Sequence, residues 1–267
     1  MVALYHPPGN PDVDFTPEQL SSYQKDVEEM GVIMVDSMDQ LIERVDVVMI
    51  ETNDGRPHMK EVLPALKAGK PVFVDKPVAE DLQGVVDIYK EAEKYGVPIF
   101  SSSALRYMES AQNINPSEVI SAHTFSPAAL EKSHTDLFWY GIHGIEYLFT
   151  VMGPGCVEVQ QVQHSEAEDL VIGYWKDGRV GVFRGIREGK RDFGGTVFKE
   201  KEIVDLGSFT GYRSLVVKVV EFFLQNKAPV SAEETFEIYA FMEAAQESKN
   251  KGGKKISLDK VLKKALK

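Results

Sequence analysis

The chain has 267 residues, 43% of them hydrophobic, enough to bury the core of one large domain or of two. One cysteine, Cys156, rules out an internal disulfide framework, and a formal net charge of −11 repels phosphate backbones and argues against a nucleic-acid binder. No run reaches the roughly 18 apolar residues of a membrane helix and Met1 to Asn10 lacks a signal-peptide layout, so the chain is expected in the cytoplasm, off the membrane.

Over the first hundred residues, short β-branched runs alternate with amphipathic helical patterns, the signature of parallel βαβ units. Val2 to Tyr5, Val32 to Val35, Asp46 to Glu51, Pro71 to Asp75 and Pro98 to Ser101 are the expected strands. A helix opens with Pro57 in its first turn, carries Met59, Val62, Leu63 and Leu66 on one stripe, and stops at Gly69. The next runs from about Glu80 with Leu82, Val85, Val86 and Tyr89 on one face, and ends at Gly96. Beyond Ser101 the pattern changes. A strand over Val119 to Phe125 precedes an apolar helix from about Phe138 to Met152, and alternating runs follow at Val157 to Gln163, Leu170 to Trp175, Arg179 to Ile186 and Thr196 to Phe198. Lys176-Asp177-Gly178 reads as a hairpin turn, because glycine tolerates the positive φ that a tight turn demands. Helices close the chain over Leu215 to Gln225, Ala232 to Lys249 and Leu258 to Leu266, and the lysines between Lys249 and Lys267 read as a solvated face. The second half is therefore expected to be a mainly antiparallel sheet with helices on one face.

The segment Val45 to Ala79, VDVVMIETNDGRPHMKEVLPALKAGKPVFVDKPVA, resembles the most diagnostic stretch of the Gfo/Idh/MocA oxidoreductases, named for glucose-fructose oxidoreductase, inositol dehydrogenase and MocA. In that family a strand delivers a turn and a histidine, a helix ends in Ala-Gly-Lys, and the next strand ends in Glu-Lys-Pro. Here the turn is Thr52-Asn53-Asp54-Gly55-Arg56-Pro57-His58 and the triplet is Asp75-Lys76-Pro77, with aspartate keeping the charge and shortening the reach. FWYGIHGIEYLFTVMG, Phe138 to Gly153, resembles the family's Gly-x-His helix, with Gly141 and His143 in the matching places and Trp139 where many members carry aspartate. The resemblance implies a Rossmann-like parallel-sheet domain over residues 1–101 and a substrate-binding and oligomerisation domain over 102–267, an α/β unit followed by an α+β unit. One family feature is missing: no G-x-G-x-x-G occurs, so the parallel domain is expected to be incomplete at its N-terminus, without the first strand and the turn that seats a pyrophosphate on a helix N-terminus.

The family's chemistry implies NAD or NADP as cofactor and a sugar, polyol or related hydroxy compound as substrate, oxidised by hydride transfer. Lys76, at the carboxyl end of a parallel strand where open α/β sheets bind ligands, is expected to act as base or as donor to the developing alkoxide, with His143 as its proton partner. Glu51, Thr52, Asn53, His58, Asp75, Lys76 and Pro77 are the expected cofactor contacts. Arg106, His134, Asp136, Tyr140 and His143 are candidates for holding substrate hydroxyls or a carboxylate. For each of these the plain alternative is a solvated side chain or a satisfied core polar group. A metal site built from His123, His134, Asp136 and His143 is the minor alternative, since their spacing matches no tight ligand pattern, and none is expected. Cys156 reads as a small buried side chain. Val171, Tyr174, Val180 and Val182 fit an exposed sheet face that supports self-association, and equally packing of the sheet against its own helices. The competing class is a non-catalytic ligand-binding or scaffold protein of the same fold that has lost tight cofactor binding.

Overall fold

The computed structural model describes residues 2–6, 10 and 16–267. The N-terminal part alternates strand and helix: β1 (Ala3–Leu4), α1 (Pro17–Glu29), β2 (Ile33–Met34), α2 (Met38–Ile42), β3 (Val48–Ile50), α3 (His58–Lys67), β4 (Val72–Val74), α4 (Leu82–Tyr95) and β5 (Ile99–Phe100). All pairings here are parallel, as the alternation predicts, but they form two separate sheets. β1 pairs with β2, while β3, β4 and β5 lie side by side in that order. Among the described residues no strand joins β1 to β3. Pro7, Pro8 and Gly9, which follow the first strand, lie outside the described residues.

The helix patterns fold as read. Asp81 caps α4 by accepting from the Gly84 N–H at 2.8 Å, Gly96 closes it in the left-handed region at φ 65°, and Leu82, Val85, Val86 and Tyr89 are all buried. Leu63, half-buried, sits at the margin of the α3 stripe, whereas Val62, Ala65 and Leu66 are fully inside.

A short 3-10 turn (Ala104–Tyr107), α5 (Glu109–Gln112) and a second 3-10 turn (Pro116–Glu118) lead into the second half. Its elements are β6 (Val119–Pro127), α6 (Ile142–Met152), β7 (Cys156–His164), β8 (Glu168–Trp175), β9 (Val180–Ile186), β10 (Gly194–Lys199), β11 (Ile203–Asp205), α7 (Arg213–Gln225), α8 (Ala232–Asn250), β12 (Ile256–Ser257) and α9 (Leu258–Ala265). The strands form one sheet in the order β11-β10-β6-β9-β8-β7-β12, antiparallel except for the β6–β9 pair. Helices α6 and α8 cover one face. Gly144 permits the close approach of α6, since a Cβ there would lie 2.5 Å from the Phe183 ring and 2.8 Å from Ser126 Oγ.

Two expectations need correction. The apolar helix starts at Ile142 and not near Phe138, because residues 138–141 form a turn: the Phe138 N–H bonds the Thr135 carbonyl, and the fully buried Phe138 ring meets Tyr239 edge-to-face at 4.9 Å. Tertiary packing there overrides local pattern. Val171 does not share a face with Tyr174, Val180 and Val182. It is fully buried on the helix side of β8, while the other three alternate onto the uncovered face and are half-buried.

Helix α8 ties the halves together. The Val78 N–H, just after β4, donates to the Tyr239 hydroxyl at 2.8 Å, and the Tyr89 hydroxyl on α4 reaches Thr235. One continuous apolar core therefore runs from β3 and β4 through α4, α8 and α6 to the large sheet. The loops after β4 and before α6 are consequently fixed relative to each other.

Candidate active site

At the carboxyl ends of β3 and β4 two loops are pressed together. A Cβ on Gly55 would lie 2.6 Å from the backbone of Ala79, so only glycine lets the Thr52–His58 turn approach the segment after Asp75-Lys76-Pro77 this closely. His58 closes that junction. Its ring is fully buried, with Nδ1 at 3.1 Å from the Val78 carbonyl and Nε2 at 3.0 Å from the Thr52 carbonyl and 2.9 Å from the Thr52 hydroxyl. The Thr52 hydroxyl donates to Glu61 at 2.7 Å. His58 and the Thr52 side chain, expected at a cofactor, are thus engaged within the protein, and Pro77 is buried beside them. The peptide between Lys76 and Pro77 is cis.

Lys76 and His143 both lie against the Tyr140 ring, where the two halves meet. The Lys76 amine lies 5.3 Å from the centre of the Tyr140 ring, and that ring meets the His143 imidazole edge-on at 5.0 Å. Phe193 completes the wall, stacked near Tyr140 at 6.4 Å and edge-on to His143 at 6.0 Å, and Phe209 and Tyr212 continue it. Burial holds the Lys76 ammonium below its ordinary value, with Asp75 opposing part of that shift. His143 lies well below the ordinary histidine value, from burial first and from the nearby Lys76 charge second, so it is neutral at pH 7. Asp75 is pushed up by burial against the pull of Lys76 and His58.

Glu51, at the tip of β3, still reaches solvent, yet loss of hydration and the Asp75 charge push its carboxyl up to about 7. A carboxyl resonance of Glu51 titrating near pH 7 is expected in carbon NMR. In Asp75→Asn the midpoint should fall, because one of the two causes is gone; a midpoint that stays put would mean that Asp75 does not sense Glu51.

The remaining candidates have no contact with the Lys76, Tyr140 and His143 group among the interactions of the described residues. Arg106 is buried in ion pairs, its Nε 2.7 Å from Glu146 and a terminal nitrogen 2.7 Å from Glu234, so its charge is balanced inside the protein. His134 accepts from the Gly55 N–H at 3.1 Å, meets the Trp139 ring at a tilt at 5.1 Å and bonds Ser133 at its other nitrogen, which makes it a clamp on the Asp54-Gly55 turn. Asp136 pairs with Lys249 on α8. His123 sits on β6 with its Nε2 buried and unpartnered. Thus the four groups of the metal alternative do not converge, and among the described residues no cluster of three or more His, Cys, Asp or Glu side chains could hold a metal ion. Cys156 is buried, its thiol pushed up to about 12 mainly by that burial.

Sequence reasoning missed Ser103, Glu146, Phe193, Phe209 and Tyr212. For Ser103 a signal existed: the run Ser101-Ser102-Ser103 directly follows β5, at the carboxyl end of a parallel strand. The aromatic wall offered none, since its members come from three separate segments.

A parallel α/β unit with a lysine amine just beyond its β4 strand, joined to an open, mainly antiparallel sheet whose covering helix α6 carries a histidine, has the architecture of a Rossmann-like fold followed by an α+β unit. Residues 13–103 match the sequence model of the oxidoreductase family with NAD-binding Rossmann fold, Gfo/Idh/MocA. The same architecture recurs in solved structures. A protein described as a "probable dehydrogenase" from Thermotoga maritima superposes with a TM-score of 0.76 at 19% identity, over 98% of this chain and 92% of its own. The apo scyllo-inositol dehydrogenase from Lactobacillus casei gives 0.75 at 16% identity, over 97% and 90%. An oxidoreductase from Agrobacterium radiobacter, in complex with NAD+, L-tartaric acid and magnesium, gives 0.74 at 13% identity, over 97% and 91%. No curated protein matches the sequence. Among the described residues no helix is long and apolar enough to cross a membrane.

Proposed function

We propose that the chain is an NAD(P)-dependent oxidoreductase acting on a sugar, polyol or related hydroxy compound, with Lys76 and His143 at the chemistry. The observation that supports this reading is the approach of the Lys76 amine and the His143 imidazole to the same Tyr140 ring beyond the end of β4. A bound nicotinamide ring would accept the hydride from the carbinol carbon. Everything else falls to the chain. Lys76, its ammonium weakened by burial, takes the hydroxyl proton, and neutral His143 hydrogen-bonds the same oxygen. Tyr140, Phe193, Phe209 and Tyr212 form an apolar wall that suits the C–H face of a polyol ring and keeps water from the reacting carbon.

Toward the cofactor the residues fit at one end only. Glu51, Asn53, Asp75 and Lys76 offer hydrogen-bonding groups at the carboxyl ends of β3 and β4, suited to the carboxamide and ribose of the nicotinamide half. The pyrophosphate half finds no G-x-G-x-x-G turn in this sequence, and no strand lies between β1 and β3 among the described residues. The second reading is a ligand-binding or scaffold protein of the same fold without tight cofactor binding. Titration of NADH and NADPH, followed by nicotinamide fluorescence, separates the two when combined with assays on inositols, aldoses and linear polyols. Saturable binding with reduction of the oxidised cofactor is the expected result; no binding of either cofactor leaves the second reading. On the first reading the protein works in a reducing cytoplasmic compartment and self-associates through the uncovered sheet face that bears Ile172, Tyr174, Val180 and Val182.

A further inference from the structure

The His143 ring is held from behind by one hydroxyl, and the way that hydroxyl is itself held determines where the imidazole carries its proton. Ser103 Oγ lies 2.8 Å from His143 Nδ1. The same oxygen accepts from the Leu105 N–H at 3.2 Å, capping the 3-10 turn that follows β5. Ser103 is 1% exposed, so its hydroxyl proton has no access to water, and the one acceptor it faces among the described residues is Nδ1. Were Nδ1 to carry the proton, the hydroxyl would accept twice and its own proton would be left as a buried, unsatisfied donor, a worse outcome than losing an ordinary hydrogen bond.

The backbone of Ser103 is not free to adjust. Its N–H donates to Glu146 Oε2 at 2.7 Å, the Ser102 hydroxyl donates to Glu146 Oε1 at 2.5 Å, and Arg106 holds the same carboxylate at 2.7 Å. Glu146 lies on α6, three residues after His143, so a single helix carries both the imidazole and the carboxylate that fixes the imidazole's partner. His143 Nε2 makes no hydrogen bond to any described residue and is the ring's free corner.

We infer that Ser103 is a positioning residue that donates to Nδ1 and thereby locks neutral His143 in the tautomer with its proton on Nε2, presenting an N–H donor to the substrate oxygen. The inference rests on the functional reading above and divides its labour. A neutral imidazole with Nε2 protonated cannot take a proton at that atom, so it orients the hydroxyl and stabilises negative charge growing on the oxygen, while Lys76 alone accepts the proton.

Nitrogen-15 NMR of the full chain labelled at histidine, with His143 assigned through His143→Gln, tests this without any turnover. Failure of the functional reading would therefore leave the result interpretable. In the wild type Nδ1 is expected to be bare and Nε2 to carry the hydrogen. In Ser103→Ala the ring should lose this preference and populate both tautomers, and Ser103→Thr, which keeps the hydroxyl, should restore it. Where turnover is measurable, Ser103→Ala should lower kcat about tenfold, the equivalent of one hydrogen bond, with KM nearly unchanged. A wild-type signal with the proton on Nδ1, or a tautomer ratio untouched by Ser103→Ala, would overturn the inference.

Discussion

Replacing Lys76 by alanine is expected to cut kcat/KM about 10³-fold, the middle of the range that a positioned general acid or base supplies. The fold should survive, because Lys76 is half-buried at a cleft and Asp75 keeps its strand bond, its N–H donating to the Ile50 carbonyl at 2.8 Å. Lys76→Arg sharpens the test. Guanidinium keeps the positive charge and cannot be deprotonated in a protein, so it rescues a purely electrostatic role and fails to rescue a base. The sign of the pH dependence follows from the same burial. A lowered amine pKa means that oxidation rises with pH through an inflection below the ordinary lysine value of about 10.4, as the amine loses its proton. Steady-state rates between pH 6 and 10 in the three proteins check this. Wild-type turnover in Lys76→Ala would remove the amine from the mechanism.

The second large effect is on stability. Glu146 is 4% exposed and accepts from Arg106, the Ser102 hydroxyl and the Ser103 N–H together. Glu146→Gln leaves the buried Arg106 with Glu234 as its remaining counter-charge and turns an amide donor toward donors. Breaking a buried pair in this way costs about 3 kcal/mol, at the lower end of the usual span because Glu234 still compensates. Urea unfolding at pH 7 should show the midpoint falling without a change in slope. Arg106→Met combined with Glu146→Leu should recover most of the loss, since the desolvation penalty of both ions disappears with them. A Glu146→Gln protein as stable as wild type would mean that the carboxylate carries no net stabilising charge.

The structural neighbours share under a fifth of their residues with this chain, yet the elements that carry Lys76 and His143 are legible in the sequence. The reason is local. Asp75-Lys76-Pro77 follows a β-branched strand, and Gly141 and His143 open an apolar helix, so each reactive group sits at the end of an element whose period is visible in the chain. What the local pattern does not contain is which polar side chain finds a partner far away. Arg106 is claimed by Glu146 and Glu234, Asp136 by Lys249, and His134 by the Gly55 N–H, pairings separated by tens of residues in the chain. In a low-dielectric interior such groups are held by whichever counter-charge or donor packing brings within reach.

By itself, then, the sequence determined the parallel and antiparallel halves, the strand-end lysine and the helix histidine, because hydrophobic period and turn chemistry act over neighbouring residues. Only the tertiary structure decided that these two groups flank the Tyr140 ring, that Ser103 meets the imidazole and that Phe193 packs on both rings. Those facts depend on contacts between distant segments, which are set by how the core closes around α8 and α6.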